Sequence, residues 1–184
     1  VSDFAYGAIG FDGNQPLSFL QTAGAKSVGI ETYTFSKTFN MAGWRVGFAV
    51  GNADMIAALN LIQDHLFVSI FPAIQDAAIA ALAQRKQRTD AVGQLQAVYE
   101  SRRNAFINAV RSFNWEPYVP KGAFYVLMPV PKGYTSAQFA ELLLIRANVA
   151  VADASGFGDA GEGYVRVGLT ITEDRLVEAA NRIK

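Results

Sequence analysis

The stretch TFSKTFNMAGWRVG, Thr34–Gly47, joins two apolar segments and decides how the first half of the chain folds. Upstream, Ser27–Thr34 (SVGIETYT) alternates Val28, Ile30 and Thr32 with Gly29, Glu31 and Tyr33, which is the period of a strand. Downstream, Arg45–Val50 (RVGFAV) is a nearly continuous apolar run and reads as a fully buried strand. Lys37 leaves the first strand, and Arg45 opens the second eight residues later. A parallel crossover takes about a dozen residues or more, so strands joined this closely run antiparallel. The end of the first and the start of the second then share one sheet edge. Lys37 and Arg45 are expected to face one crevice there, with the Thr34 and Ser36 hydroxyls nearby. Such a set suits an anionic ligand that carries an electrophilic carbonyl. Arg45 offers a planar fork to phosphate oxygens, the hydroxyls add donors, and a lysine amine set among cations or partly desolvated can form a Schiff base.

Outward from this stretch, Asn52 is placed to cap a helix with the apolar stripe Met55, Leu59, Ile62 and Leu66. Pro72 opens an alanine-rich helix. From Asp90 to Phe113 the positions Val92, Leu95, Val98, Arg102, Phe106, Val110 and Phe113 keep helical spacing over a length that can bridge two domains. Beyond it, short strands at Ala123–Met128, Val149–Val151 and Tyr164–Leu169 alternate with helices near Ser136–Arg146 and Thr172–Ile183. Thr170 and Glu173 stand in capping-box spacing before the last helix. Basic pairs such as Arg102-Arg103 are expected on solvated helix faces.

Composition narrows the chemistry. The 184 residues are 51% hydrophobic and 17% charged, which suits a folded globular protein of one domain or two small ones. The absence of cysteine excludes disulfides, zinc–thiolate sites and thiol nucleophiles, and the single histidine, His65, excludes a multi-histidine metal site. Sixteen basic against sixteen acidic residues provide no net field for nucleic acid or anionic lipid. The longest charge-free run, Gly13–Ala25, falls short of the ~20 apolar residues of a membrane helix. These features suggest a cytoplasmic location. The opening VSDFAYG lacks the basic and apolar regions of a signal peptide, and it begins like the end of a strand entering a turn, as in the C-terminal part of something longer.

Two apparent motifs have plainer readings. Gly156, Gly158 and Gly161 match the spacing of a dinucleotide fingerprint, but they lead into a strand (YVRVGL), whereas the fingerprint needs a helix starting at the glycines. His65 lies beside the Ile62–Leu66 stripe and reads as a helix histidine satisfied by a partner.

The Thr34–Gly47 segment resembles the pyridoxal-phosphate attachment motif of class I/II aminotransferases, the fold-type-I family. Lys37 matches the Schiff-base lysine and Arg45 the phosphate-binding arginine, while Asn40, Met41, Gly43, Val46 and Gly47 suit the pattern. Thr34 stands where serine or glycine is usual and keeps the hydroxyl, so Thr34 and Ser36 are expected to help anchor phosphate. Asp3 and Tyr6 match the aspartate that pairs with the pyridine nitrogen and the tyrosine that contacts the phenolic oxygen. Arg166, in GYVRVGLTIT, matches the arginine that clamps the substrate carboxylate. The bland alternative is an ion pair with Glu162, although an arginine in an apolar strand is costly without an anion to meet. PKGAFYVLM resembles the start of the family's small domain, with Gly122 in its usual place. Asp153-Ala154 departs from a frequent Pro-Gly and puts side-chain specificity in doubt.

The resemblance covers essentially the whole chain but only the C-terminal portion of the family fold. It implies that residues 1–95 form the C-terminal part of the large cofactor-binding domain, a mixed sheet with helices, and that 96–184 form the small α/β domain. It implies transamination between an amino acid and a 2-oxo acid, with pyridoxal 5'-phosphate as cofactor, in a homodimeric parent active in amino-acid biosynthesis. ETYTFSKTFNMAGWRVGF is closest to the branch of bacterial N-acetyl-diaminopimelate and aromatic aminotransferases. Carbon–sulfur β-lyases share the same residues, and an aminotransferase-like effector domain of a transcription regulator is a third reading. The upstream half, which in relatives supplies the phosphate turn and the ring-stacking aromatic, would separate the last from the first two.

Overall fold

In the computed structural model, which describes residues 1–86 and 91–184, two units partition the chain, Val1–Gln96 and Ala97–Lys184. The first holds strand β1 (Ser2–Asp3), the helical turn α1 (Ala25–Val28), strand β2 (Ile30–Thr34), the short helix α2 (Phe35–Thr38) and strand β3 (Gly47–Gly51). Helices α3 (Ala53–Leu66) and α4 (Pro72–Lys86) follow, then the beginning of α5 (Ala91–Arg111). Asp90, where the sequence pattern starts the long helix, lies outside the described residues.

The three strands form a mixed sheet in the order β1-β2-β3. β1 runs parallel to β2, with Asp3 opposite Thr32, and β3 runs antiparallel to β2, with Thr34 opposite Gly47. The antiparallel inference from the short connection therefore holds. A β-carbon at Gly47 would lie 2.5 Å from the Tyr33 carbonyl oxygen, so this close approach requires glycine. The Asn52 side chain caps α3 by accepting from the Met55 N–H at 2.9 Å, and Pro72 is the first residue of α4. α4 packs under the connection between β2 and β3. Phe35, Val46 and Ala78 form a buried cluster joined by Phe39, Met41 and Ile74.

Three expectations for this unit need correction. The first strand begins at Ile30, because Ala25–Val28 close a helical turn and Gly29 donates to the Ala25 carbonyl; Val28 is left exposed. Arg45 does not open a strand. It ends the 3-10 turn Ala42–Trp44 in a left-handed conformation (φ 53°), and pairing starts only at Gly47. β3 is also not fully buried: it lies at a sheet edge, and Phe48 and Val50 are exposed. An apolar run records the capacity for burial but not which neighbour supplies it.

The second unit contains the rest of α5, strand β4 (Tyr125–Pro129), helix α6 (Ser136–Leu142) continuing into a π-helical turn (Leu143–Ala147), strands β5 (Ala152–Asp153) and β6 (Tyr164–Gly168), and helix α7 (Glu173–Ile183). Its sheet is antiparallel with β6 in the centre, in the order β4-β6-β5. Alternation sets its two faces. Val126, Met128 and Val165 are buried, as are Phe106 and Val110 of α5 and Leu176 of α7, whereas Leu127 and Arg166 alternate with the buried positions.

Corrections are needed here too. Arg103 is not on a solvated face. It is only 3% exposed, and its guanidinium donates to the Pro120 carbonyl and to Asn104 Oδ1, partners that offset the cost of burial. Arg102 is half-buried, donates to the Leu169 carbonyl and lies over the Tyr99 ring. The strand expected at Val149–Val151 forms at Ala152–Asp153 instead, after Asn148 ends the π-helical turn in a left-handed conformation. Thr172, not Thr170, occupies the cap of α7, without a side-chain capping bond, so Glu173 becomes the first helical residue rather than the third.

Candidate active site

Topology gathers the candidate residues of the first unit at one end of its sheet. β1 and β2 are parallel, so Asp3, at the end of β1, and Lys37, just beyond the end of β2, leave the sheet at the same edge. β3 enters at that edge, which brings Arg45 there as well. The carboxyl ends of strands are where open α/β sheets bind ligands, because loops and helix starts converge there.

Local bonds shape the Lys37 turn. Thr34 Oγ1 accepts from the Ser36 N–H at 3.1 Å and so caps α2, the turn that carries Lys37. Behind it, the hydroxyls of Tyr33 and buried Thr38 are 2.6 Å apart, and Phe35 anchors the turn in the cluster with Val46 and Ala78. Lys37 is half-buried, and its Nζ lies 5.8 Å from the centroid of the Tyr6 ring. Asp3 is exposed, and its Oδ1 accepts from Thr32 Oγ1 at 3.4 Å. Arg45 is exposed as well, and its guanidinium donates to the Ala42 carbonyl at 3.2 Å, within its own turn. The Lys37 amine and the Tyr6 ring are thus neighbours, while Asp3, Thr34, Ser36 and Arg45 share their sheet edge.

Arg166 belongs to the second unit. It occupies the centre of β6, opposite Leu127 of β4 and Ala152 of β5. Its guanidinium carbon lies 4.2 Å from the ring centroid of Tyr125 and 3.9 Å from that of Phe157. Glu162, the alternative partner, accepts instead from the Ser136 N–H, and Arg166 forms no ion pair among the described residues. The glycine-rich loop forms two 3-10 turns, Ala154–Phe157 and Asp159–Gly161, and then enters β6. It does not start a helix, so the dinucleotide reading fails on geometry as well as on pattern. Among the described residues no group of three histidines or acids could hold a metal. His65 is exposed on α3.

Sequence patterning missed three features around these residues. Glu31 is 5% exposed and accepts from Ser2 Oγ, Ser18 Oγ and the Phe19 N–H. The Tyr33–Thr38 hydroxyl pair steadies the Lys37 turn. Phe157, within the glycine-rich loop, covers Arg166. An aromatic residue isolated among glycines was the only local signal for any of these.

Comparison with known proteins identifies the family. The family model described as Aminotransferase class I and II matches residues 1–183. The L-glutamine–4-(methylsulfanyl)-2-oxobutanoate aminotransferase of Bacillus subtilis is 62% identical over 183 residues, covering all of this chain and 45% of the relative. The LL-diaminopimelate aminotransferase of Moorella thermoacetica is 44% identical over 182 residues, 99% of this chain and 46% of the relative. An aminotransferase structure from Staphylococcus aureus superposes with a TM-score of 0.92 at 42% identity, covering 98% of this chain and 47% of that one. The chain therefore spans a little under half the length of these relatives. With a family match that runs from its first residue to its penultimate one, the chain belongs to the class I and II aminotransferases.

Proposed function

We propose that the protein carrying this chain transfers an amino group between an amino acid and a 2-oxo acid, using pyridoxal phosphate held at the sheet edge of residues 1–96. The observation that carries the reading is the Lys37 turn. A half-buried amine lies 5.8 Å from the centre of a tyrosine ring, and a carboxylate ends the neighbouring parallel strand. The donor set fits the cofactor group by group. Lys37 suits its aldehyde, Asp3 its ring nitrogen, Tyr6 its phenolic oxygen, and Arg45, Thr34 and Ser36 its phosphate. In this reading, residues 1–95 are the C-terminal part of the large domain and 96–184 the small domain.

When bound, the cofactor supplies an electron-withdrawing ring that stabilises negative charge at the substrate Cα. The chain's own residues do the rest. Asp3 holds a proton at the ring nitrogen. Lys37 would hold the aldehyde, and its amine, when free, would take up and give back the proton at the substrate Cα. Tyr6 orients the phenolic oxygen and neighbours the lysine. Arg166 offers its fork to the substrate carboxylate. The name of the Bacillus subtilis relative supports glutamine and 4-(methylsulfanyl)-2-oxobutanoate as the first donor and acceptor to assay. A homodimeric, cytoplasmic parent with a role in amino-acid biosynthesis completes the reading; the apolar positions exposed on α3 support burial of that surface against further protein.

The test is direct. The full-length protein, loaded with pyridoxal phosphate and reduced with borohydride, is expected to carry the label on the peptide containing Lys37. Lys37→Ala is expected to lose the cofactor's visible band and to slow amino transfer at least ~100-fold, the lower end for removal of an acid–base group. A label on another lysine, with turnover retained in the variant, would overturn the assignment.

A further inference from the structure

The Arg166 guanidinium lies over two aromatic rings, and one of them sits on a turn whose shape the rest of the loop enforces. Tyr125 reaches Arg166 diagonally across the β4–β6 pair. It stands opposite Gly168, two residues along β6 from Arg166, on the same sheet face. Phe157 comes from the 3-10 turn Ala154–Phe157. Asp153 closes that turn, accepting from both the N–H and the hydroxyl of Ser155 at 2.9 Å. Gly161 lets the following turn press close, since a β-carbon there would lie 2.0 Å from the Ala154 carbonyl oxygen. Phe157 is itself 63% exposed, so core packing does not explain its position.

We infer that Phe157 is a positioning residue for Arg166, and that the 153–161 loop is built to hold its ring against the guanidinium. This rests on the reading of Arg166 as the clamp for the substrate carboxylate. An arginine side chain has many rotamers, and each must be given up when a carboxylate is bound in the bidentate geometry. Two ring faces about 4 Å away restrict the guanidinium before substrate arrives. They attract the cation without using up its N–H donors, which stay available to an anion. The loop that mimics a dinucleotide fingerprint thereby has a different task, and Asp153, at the unusual Asp153-Ala154 pair, is the residue that fixes its first turn.

The experiment uses the full-length enzyme and three variants. Phe157→Leu keeps apolar bulk and removes the ring face, Phe157→Tyr restores the face, and Arg166→Gln is the reference for loss of the clamp. Two quantities are read. One is the ratio of kcat/KM for an α-amino acid to kcat/KM for the amine lacking only its carboxylate. The other is the calorimetric affinity for the corresponding 2-oxo acid. Phe157→Leu is expected to lower the ratio about 3- to 30-fold, chiefly through KM, and to weaken the 2-oxo acid in parallel, as follows from the usual strength of a cation over a ring. Phe157→Tyr is expected to bring both back to within about twofold of the parent. If Arg166→Gln lowers the ratio and Phe157→Leu does not, the clamp stands and this inference falls. If Phe157→Leu slows amino acid and amine equally, its role is general packing and the inference also falls. An unchanged ratio in Arg166→Gln overturns the clamp reading itself.

Discussion

Glu31 is an acid buried among neutral donors, and its bonds reach two other segments. Ser18 Oγ donates to one carboxylate oxygen at 2.7 Å, while the Phe19 N–H and Ser2 Oγ donate to the other at 2.8 and 3.2 Å. The side chain ties β1 and the 3-10 turn Phe19–Gln21 to β2, and the next residue along β1 is Asp3. Glu31→Ala leaves three donors without their acceptor and is expected to cost about 2–4 kcal/mol, since bonds to a charged acceptor contribute more than neutral ones. Urea unfolding should show the loss as a lower midpoint at unchanged slope; a change below about 0.5 kcal/mol would mean that water replaces the carboxylate. The contrast with Lys37 shows what a sequence makes legible. Lys37 is surrounded by residues that shape its own turn, so a short motif reveals it. Glu31 depends on Ser18, 13 residues upstream, and Arg103 on the Pro120 carbonyl, 17 residues downstream. Neither partner is visible in local patterning, and a period-based reading therefore puts Arg103 in water.

At the scale of elements, the same divide separates starts from surroundings. The start of α3 was readable because an N-cap is a local contract between Asn52 and Met55. β5, only two residues long, and the cap of α7 were displaced because their limits depend on pairing with β6 and on where the chain leaves the sheet. Asn52 nevertheless does more than cap. Its Nδ2 donates to the Ser27 carbonyl at 2.9 Å and its backbone N–H to the Gly29 carbonyl at 2.9 Å, which ties α3 to the turn before β2. Asn52→Asp keeps the capping oxygen and loses the Nδ2 donor, while Asn52→Ala loses both. The expected costs are about 0.5–1 kcal/mol for aspartate and about 1–2 kcal/mol for alanine. Equal values in a denaturant titration of the two variants would mean that the cap contributes nothing beyond the tie to Ser27.

At the scale of the molecule, the 1–96 unit displays more apolar surface than a self-sufficient domain leaves open. Along α3, Met55, Leu59, Ile62 and Leu66 are all exposed, and Leu66 is 71% exposed; no residue of that helix is buried. Phe48 of edge strand β3 continues this surface, with Leu59, Ile62 and Phe67 lining a shared apolar cleft of about 340 Å³. Patches of this kind on a soluble chain mark contact with other protein, and an edge strand next to one adds unpaired backbone donors and acceptors. The 184 residues prepared alone are therefore expected to self-associate at micromolar concentrations. Replacing Leu59, Ile62 and Leu66 with serine should shift the sedimentation profile toward monomer while far-ultraviolet dichroism stays unchanged. The same preparation supplied with pyridoxal phosphate, glutamine and a 2-oxo acid is expected to give no turnover above the rate of free cofactor. In the proposed reading Asp3, Tyr6, Lys37 and Arg45 form one wall of the cofactor site, and Asp3 and Arg45 are exposed here. A site open to water cannot orient the cofactor or sharpen the electrostatics on which proton transfer at Cα depends. A monomeric chain with family-like turnover would show that the apolar face needs no cover and that these residues suffice as a complete site.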